Sequence, residues 1–248
     1  MAETKLRIGA LYPDQMNIYA DRGNIAVLSN RCKWRNIEVS VTSIGIGEAL
    51  DSEQFNLIYL GGGQDEDQRR CAADLIENKR AGLVAAAENG SVVVGVCGGY
   101  QLFGHWYELG DERIAGVGLL DVETTRSNGP RLIGNVAIAT ALPGCPDGAL
   151  LAGFENHGGR TRLLEGAQPL GSVVSGHGND GSSGNEGCRA GNVIGTYLHG
   201  PLLPANSWFA DWLIAAALRA GDGLPQLDDD LEERAHVAAC RAAGVKPD

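Results

Sequence analysis

Four short apolar runs, at residues 6–12, 37–44, 55–60 and 91–96, alternate with stretches of helical spacing, and this alternation limits the possible folds severely. LRIGALY, FNLIYL and SVVVGV are rich in consecutive apolar residues, as strands buried on both faces are, while IEVSVTSI alternates. Between the first two runs, residues 17–36 carry Ile18, Ile25 and Leu28 at near-helical spacing. A longer helical stretch ends at Glu88, before the stop signal Asn89-Gly90. Strands and helices in this order imply βαβ units, hence an α/β fold with a mostly parallel sheet flanked by helices. The third run opens into a loop, GGGQDEDQ at 61–68. The fourth opens into Cys97-Gly98-Gly99 and a helical pattern, YQLFGHWYEL.

After about residue 112 the character changes. Segments 114–124, 131–140, 149–154 and 168–175 read as short strands, 176–191 as a flexible Gly-rich surface loop, 192–198 as a strand and 205–220 as a helix. The expectation is one domain over residues 1–222, with a β-rich half added to the α/β core, and a helical acidic tail over 223–248. The longest apolar runs, such as 213–218, are far shorter than the roughly 20 residues of a membrane span. The N-terminus lacks the apolar core of a signal peptide. A cytoplasmic protein without membrane insertion is expected. A net charge of −11 disfavours nucleic acid, whose phosphates need clustered Lys and Arg. The six cysteines include no C-x-x-C pair, and neither they nor the five histidines show metal-ligand spacing, so free thiols and no metal site are expected.

One cysteine stands apart. Gly95-Val96-Cys97-Gly98-Gly99 joins a buried strand to a helix start, the setting of a nucleophile elbow, where a sharp turn exposes the side chain and small neighbours allow close backbone packing. The helix N-terminus favours the reactive thiolate and offers N–H groups for an oxyanion hole. A buried structural cysteine is the plainer alternative, and the other five cysteines keep it. A thiol nucleophile needs a base. His199 directly follows a buried strand, where side chains of an open α/β sheet reach the functional crevice; His157, in GFENHGGR, is the second candidate. His105 reads as packing within the elbow helix, His177 as solvated, and His236 as part of the acidic tail. The glycines of the 61–63 loop, Gly62 and Gly63 among them, can bring backbone N–H groups to a ligand. No phosphate-binding G-x-x-x-x-G-K-[ST] loop occurs.

GVCGGYQLFG together with GTYLHGP resembles the class I, triad-type glutamine amidotransferases, and FENHGGRT is similar to a signature of their cobyric-acid-synthase-like branch. Within it, YADRGN at 19–24, the 61–68 loop and FENHGG most resemble the GatD-type glutaminase subunits of lipid II isoglutaminyl synthases. The resemblance implies a flavodoxin-like core, Cys97 as nucleophile, His199 as base and acid, Arg131 binding substrate, and Gly62, Gly63, Gly98 and Gln101 around the glutamine. An arginine suits the α-carboxylate of glutamine through paired hydrogen bonds. It further implies no cofactor in this chain, with ATP and Mg²⁺ on a Mur-ligase-like synthetase partner of the MurT type that amidates the D-Glu α-carboxyl of lipid II. The family's Glu two residues after the catalytic His is replaced by Pro201, so either a dyad suffices or an acid comes from elsewhere, a partner chain included. Competing expectations are an ammonia donor for another acceptor such as a cobyrinate-type substrate, a non-catalytic scaffold subunit, and a cysteine peptidase.

Overall fold

The computed structural model describes residues 4–18, 21–221 and 223–246. Tyr19 and Ala20 of the YADRGN stretch lie outside them. In chain order the core opens with β1 (Lys5–Leu11), α1 (Asp21–Trp34), β2 (Glu38–Ile44) and β3 (Leu57–Leu60). Next come α2 (Asp65–Asp74), a π-helical turn (Leu75–Lys79) and α3 (Arg80–Glu88), then β4 (Val92–Val96) and α4 (Gly98–Phe103). A β-rich insertion follows: β5 (Trp106–Leu109), β6 (Glu112–Ala115), β7 (Val122–Arg126), β8 (Leu132–Ala139), β9 (Leu150–His157), β10 (Gly159–Leu163), β11 (Gly171–Ser175), β12 (Asn185–Glu186) and β13 (Cys188–Ala190). The chain then returns to the core through β14 (Val193–Thr196) and α5 (Ser207–Leu218), and continues to α6 (Asp230–Ala242).

The central sheet has the order β13-β14-β4-β3-β1-β2, parallel except for β13. Without β13 this is a doubly wound order, 2-1-3-4-5, whose fifth strand arrives late because the insertion intervenes. Both faces are covered. Ile58, Leu60 and Val93 pack with Leu75 and Leu83 on one side, while Leu57, Tyr59, Val92 and Val94 pack with Leu28, Phe209 and Leu213 on the other. That double burial explains the consecutive apolar residues in β3 and β4. Two further four-stranded sheets, β10-β7-β5-β6 and β12-β11-β8-β9, make up the insertion apart from β13.

Several local expectations are corrected. The helix expected over YQLFGHWYEL stops at Phe103, and residues 106–109 form a strand with Tyr107 and Leu109 buried. Two-residue alternation and helical spacing overlap in so short a segment, and pairing with β6 and β7 decides the outcome. His105 therefore lies outside the helix, where Nε2 meets Asp121 Oδ1 at 3.0 Å. Within 61–68 only 61–64 is loop. Asp65, Glu66 and Asp67 form an acidic first helical turn, which suits the helix dipole. The single strand expected over 114–124 is the two strands β6 and β7, and β10 was not foreseen. The Gly-rich segment 176–191 is not a flexible surface loop throughout: Asn179, Glu186 and Cys188 are buried, and β12 and β13 lie within it.

Candidate active site

The ends of β3, β4 and β14 lie side by side, with Thr196 in register with Val96 and Leu60 with Gly95. Three chain reversals therefore meet at the carboxyl edge of the sheet, where open α/β sheets carry their ligands. Cys97 N–H donates to Thr196 O at 2.8 Å, and the residue adopts φ 54°, ψ −107°, a conformation costly to a non-glycine residue. This bend directs the side chain away from the strand. Gly99 N–H donates to Gly61 O at 3.0 Å, and a Cβ on Gly62 would stand 3.3 Å from Cys97 Cβ. The small residues thus hold the two loops in contact.

Cys97 opens on a cavity of about 680 Å³ whose wall includes Gly63, Gln101, Arg131, Asn156 and His157. Arg131 lies along Asn156, its Nε donating to Asn156 Oδ1 at 2.8 Å and Nη2 to Asn156 O at 2.7 Å. No carboxylate pairs with it among the described residues, although Asp65, Glu66 and Glu108 also line the cavity. Gln101 is tied at both ends: its Oε1 accepts from Gln68 Nε2 at 2.8 Å and its Nε2 donates to Tyr197 OH at 3.1 Å. Tyr197 OH also meets Thr161 Oγ1 at 2.6 Å, so these side chains brace the wall as a chain.

The glycine expectations separate. Gly62 is absent from the cavity wall, and its N–H donates to Asp21 Oδ2 at 3.2 Å. Gly63 lines the cavity, and its N lies 3.3 Å from the place a Cβ of Gly98 would take, so these two backbones converge. Asp21 was missed as a site neighbour. It heads α1, is 4% exposed, and accepts from Tyr59 OH at 2.7 Å. Only the family likeness of YADRGN touches it, since an acid in a first helical turn is otherwise ordinary.

Burial and then the charge of Asp21 push the Cys97 thiol up to about 12, with Gly98 N–H and Arg131 pulling less strongly the other way. The expected thiolate is therefore corrected to a resting thiol. α4 has six residues and a correspondingly small dipole, so loss of water dominates. His199 follows β14 by three residues. Its N–H donates to Phe154 O and its O accepts from Phe154 N, both at 3.0 Å, and its ring meets the Phe154 ring edge-on. It is 2% exposed and is not among the residues that line the cavity with Cys97, and burial followed by the charge of Arg131 holds it down to about 4. At neutral pH it is a neutral imidazole, the form that accepts a proton. Pro201 packs against Gly23 on α1.

Behind His199, buried Glu186 accepts from Tyr197 N at 2.6 Å and from Thr196 Oγ1 at 3.0 and 3.1 Å, which fixes the segment leading to the imidazole. Among the described residues no group of three His, Cys, Asp or Glu side chains is placed to hold a metal ion, and no helix is long and apolar enough to cross a membrane.

The chain is similar to known proteins over most of its length. The profile of the CobB/CobQ-like glutamine amidotransferase domain matches residues 7–207. Two similar curated proteins are GatD subunits of lipid II isoglutaminyl synthase (glutamine-hydrolyzing). That of Staphylococcus aureus is 36% identical, over 95% of this chain and 93% of its own length. That of Streptococcus pneumoniae is 35% identical, over 92% and 88%. A solved glutamine amidotransferase from Thermotoga maritima superimposes with a TM-score of 0.52 at 18% identity, covering 96% of this chain and 94% of that one, a likeness of fold.

Proposed function

Because the chain belongs to the CobB/CobQ-like glutamine amidotransferase family, we propose that it hydrolyses L-glutamine through a thioester on Cys97 and passes the ammonia to a Mur-ligase-like partner. What supports the chemistry is one arrangement: Cys97, Gly63 and Arg131 line one cavity, and the Gly98 backbone, outside its wall, approaches Gly63. Arg131 takes the α-carboxylate of glutamine, which sets the carboxamide carbon before the sulfur. His199 accepts the thiol proton as the S–C bond forms, and the N–H groups of Gly63 and Gly98 receive the carbonyl oxygen as it becomes negative. Collapse breaks the C–N bond. The His199 imidazolium returns its proton to the departing nitrogen, which leaves as ammonia. Water then attacks the thioester with His199 as base, and glutamate departs as the thiol is restored.

In this reading residues 1–222 are the amidotransferase domain and 223–248 an appended segment. ATP and Mg²⁺ belong to the partner, a MurT-type synthetase, since the sequence holds no phosphate-binding loop. The acceptor is the D-Glu α-carboxyl of lipid II, converted to D-isoglutamine on the cytoplasmic side. The GatD relatives, matched over nearly their whole lengths, support this acceptor. The test is co-expression with the ligase-like subunit, followed by assays of glutamate release and lipid II amidation. The wild type should perform both, and Cys97→Ser or Cys97→Ala neither. Glutamate release retained by either variant rules the mechanism out, and glutamate release without amidation rules out the acceptor.

A further inference from the structure

His157, at the end of β9, belongs to the cavity wall and is 2% exposed. Its Nδ1–H donates to Gly159 O at 2.9 Å. A carbonyl oxygen only accepts, so this bond puts the ring proton on Nδ1 and leaves Nε2 with a lone pair. The ring lies flat on Tyr197, with centroids 3.6 Å apart and planes 4° from parallel, and Tyr197 is itself anchored by Thr161 and Gln101. The imidazole is thus locked in orientation. Its Nε2 is buried and meets no hydrogen-bond donor among the described residues. Buried polar atoms are nearly always paired, and an unfilled acceptor on a side chain that lines a binding cavity points to a donor on the ligand.

We propose that His157 Nε2 accepts a hydrogen bond from the carboxamide N–H of bound glutamine and so selects the amide substrate over the carboxylate product. This rests on the reading of the site as a glutaminase. The two molecules differ in shape very little but oppositely in hydrogen bonding: the amide offers N–H donors where the carboxylate has only acceptors. A lone pair facing a carboxylate oxygen leaves both unpaired, and a site built for a donor rejects an analogue that lacks it. His157 cannot reverse its role. Its one N–H is committed to Gly159, and burial, with the nearby charges of Arg160, His199 and Arg131, holds the imidazole down to about 3.

The test uses steady-state glutaminase kinetics of the full chain with its synthetase partner, with glutamate as product inhibitor. His157→Phe keeps a ring to stack on Tyr197 and removes the acceptor. The KM for glutamine should rise about tenfold, the loss of one neutral hydrogen bond, while the glutamate Ki stays within about twofold. His157→Gln, which can present an amide oxygen, should recover most of that loss. An unchanged KM, or KM and Ki rising together, overturns the proposal. Where His157→Phe fails to fold, the Cys97→Ala chain with ¹⁵N-labelled histidine answers the question. The Nε2 resonance of His157 should move upfield with glutamine and stay in place with glutamate, and no movement with glutamine overturns the role. A wild-type complex that releases no glutamate overturns the reading of the site as well, whereas turnover with an unmoved Nε2 overturns the role of His157 alone.

Discussion

Cys97 and His199 occupy neighbouring strand ends, yet their proton affinities stand far apart: burial raises the thiol to about 12 and lowers the imidazole to about 4. In the free chain these directions leave the proton on sulfur. Asp21 is the second cause of the raised thiol, after burial. Alkylation of Cys97 by iodoacetamide, followed by peptide mapping, should still climb about tenfold per pH unit between pH 8 and 10. Asp21→Asn should speed the reaction at pH 8. A rate that levels off below pH 9 in the wild type contradicts the raised thiol.

At the scale of elements, α1 is joined to α5 and to the start of α6 by one buried arginine. Arg31, 1% exposed, donates to Asp211 through Nε and Nη2 at 2.6 and 2.7 Å and to Asp229 through Nη1 and Nη2 at 2.8 and 2.7 Å. α6 is then held by Asn135 Nδ2 donating to Ala242 O at 3.0 Å and His236 Nδ1–H donating to Ala205 O at 2.8 Å. Arg31→Met keeps apolar bulk and strands Asp229, while Asp211 retains Arg35 Nη2 at 2.6 Å, a loss of about 3 kcal/mol in urea unfolding. Amide exchange across 230–242 should rise in the variant. Hydrogen bonding to Arg31 also depresses Asp229, so its contribution is present above the unfolded value near 3.9 and fades as the pH falls through the lower folded value. Protection of α6 unchanged in Arg31→Met removes the argument for this anchor.

For the whole molecule, the decisive arrangement is that a β-rich insertion separates β4 from β14 in sequence while the sheet makes them neighbours. Two buried carboxyls seal the return. Glu155 accepts from His177 N and Gly178 N at 2.7 and 2.9 Å, and Glu186 holds the segment before His199. Burial raises Glu186 to about 8, with Glu155 adding to the rise. The folded chain then keeps a proton that the unfolded chain releases near 4.5, so this group's contribution is full below that pH and is lost as pH climbs toward about 8. Glu186→Gln, neutral throughout, should gain stability relative to the wild type between pH 5 and pH 8 in urea titrations. Parallel behaviour at the two pH values contradicts the buried-proton account.

The sequence by itself determined the parallel core and the place of the cavity. Strands buried on both faces must be apolar on consecutive residues, and reversals at strand ends need the small residues seen at 61–63 and 98–99. Cys97, Gly63, Gln101 and Arg131, named from those patterns and from family resemblance, all reach the cavity wall. Asp21 beside the thiol, the unfilled lone pair of His157, the strand at 106–109 and the burial of Glu186 were decided only by tertiary structure. Each depends on partners far along the chain and on the removal of water, and neither leaves a periodic trace in local sequence.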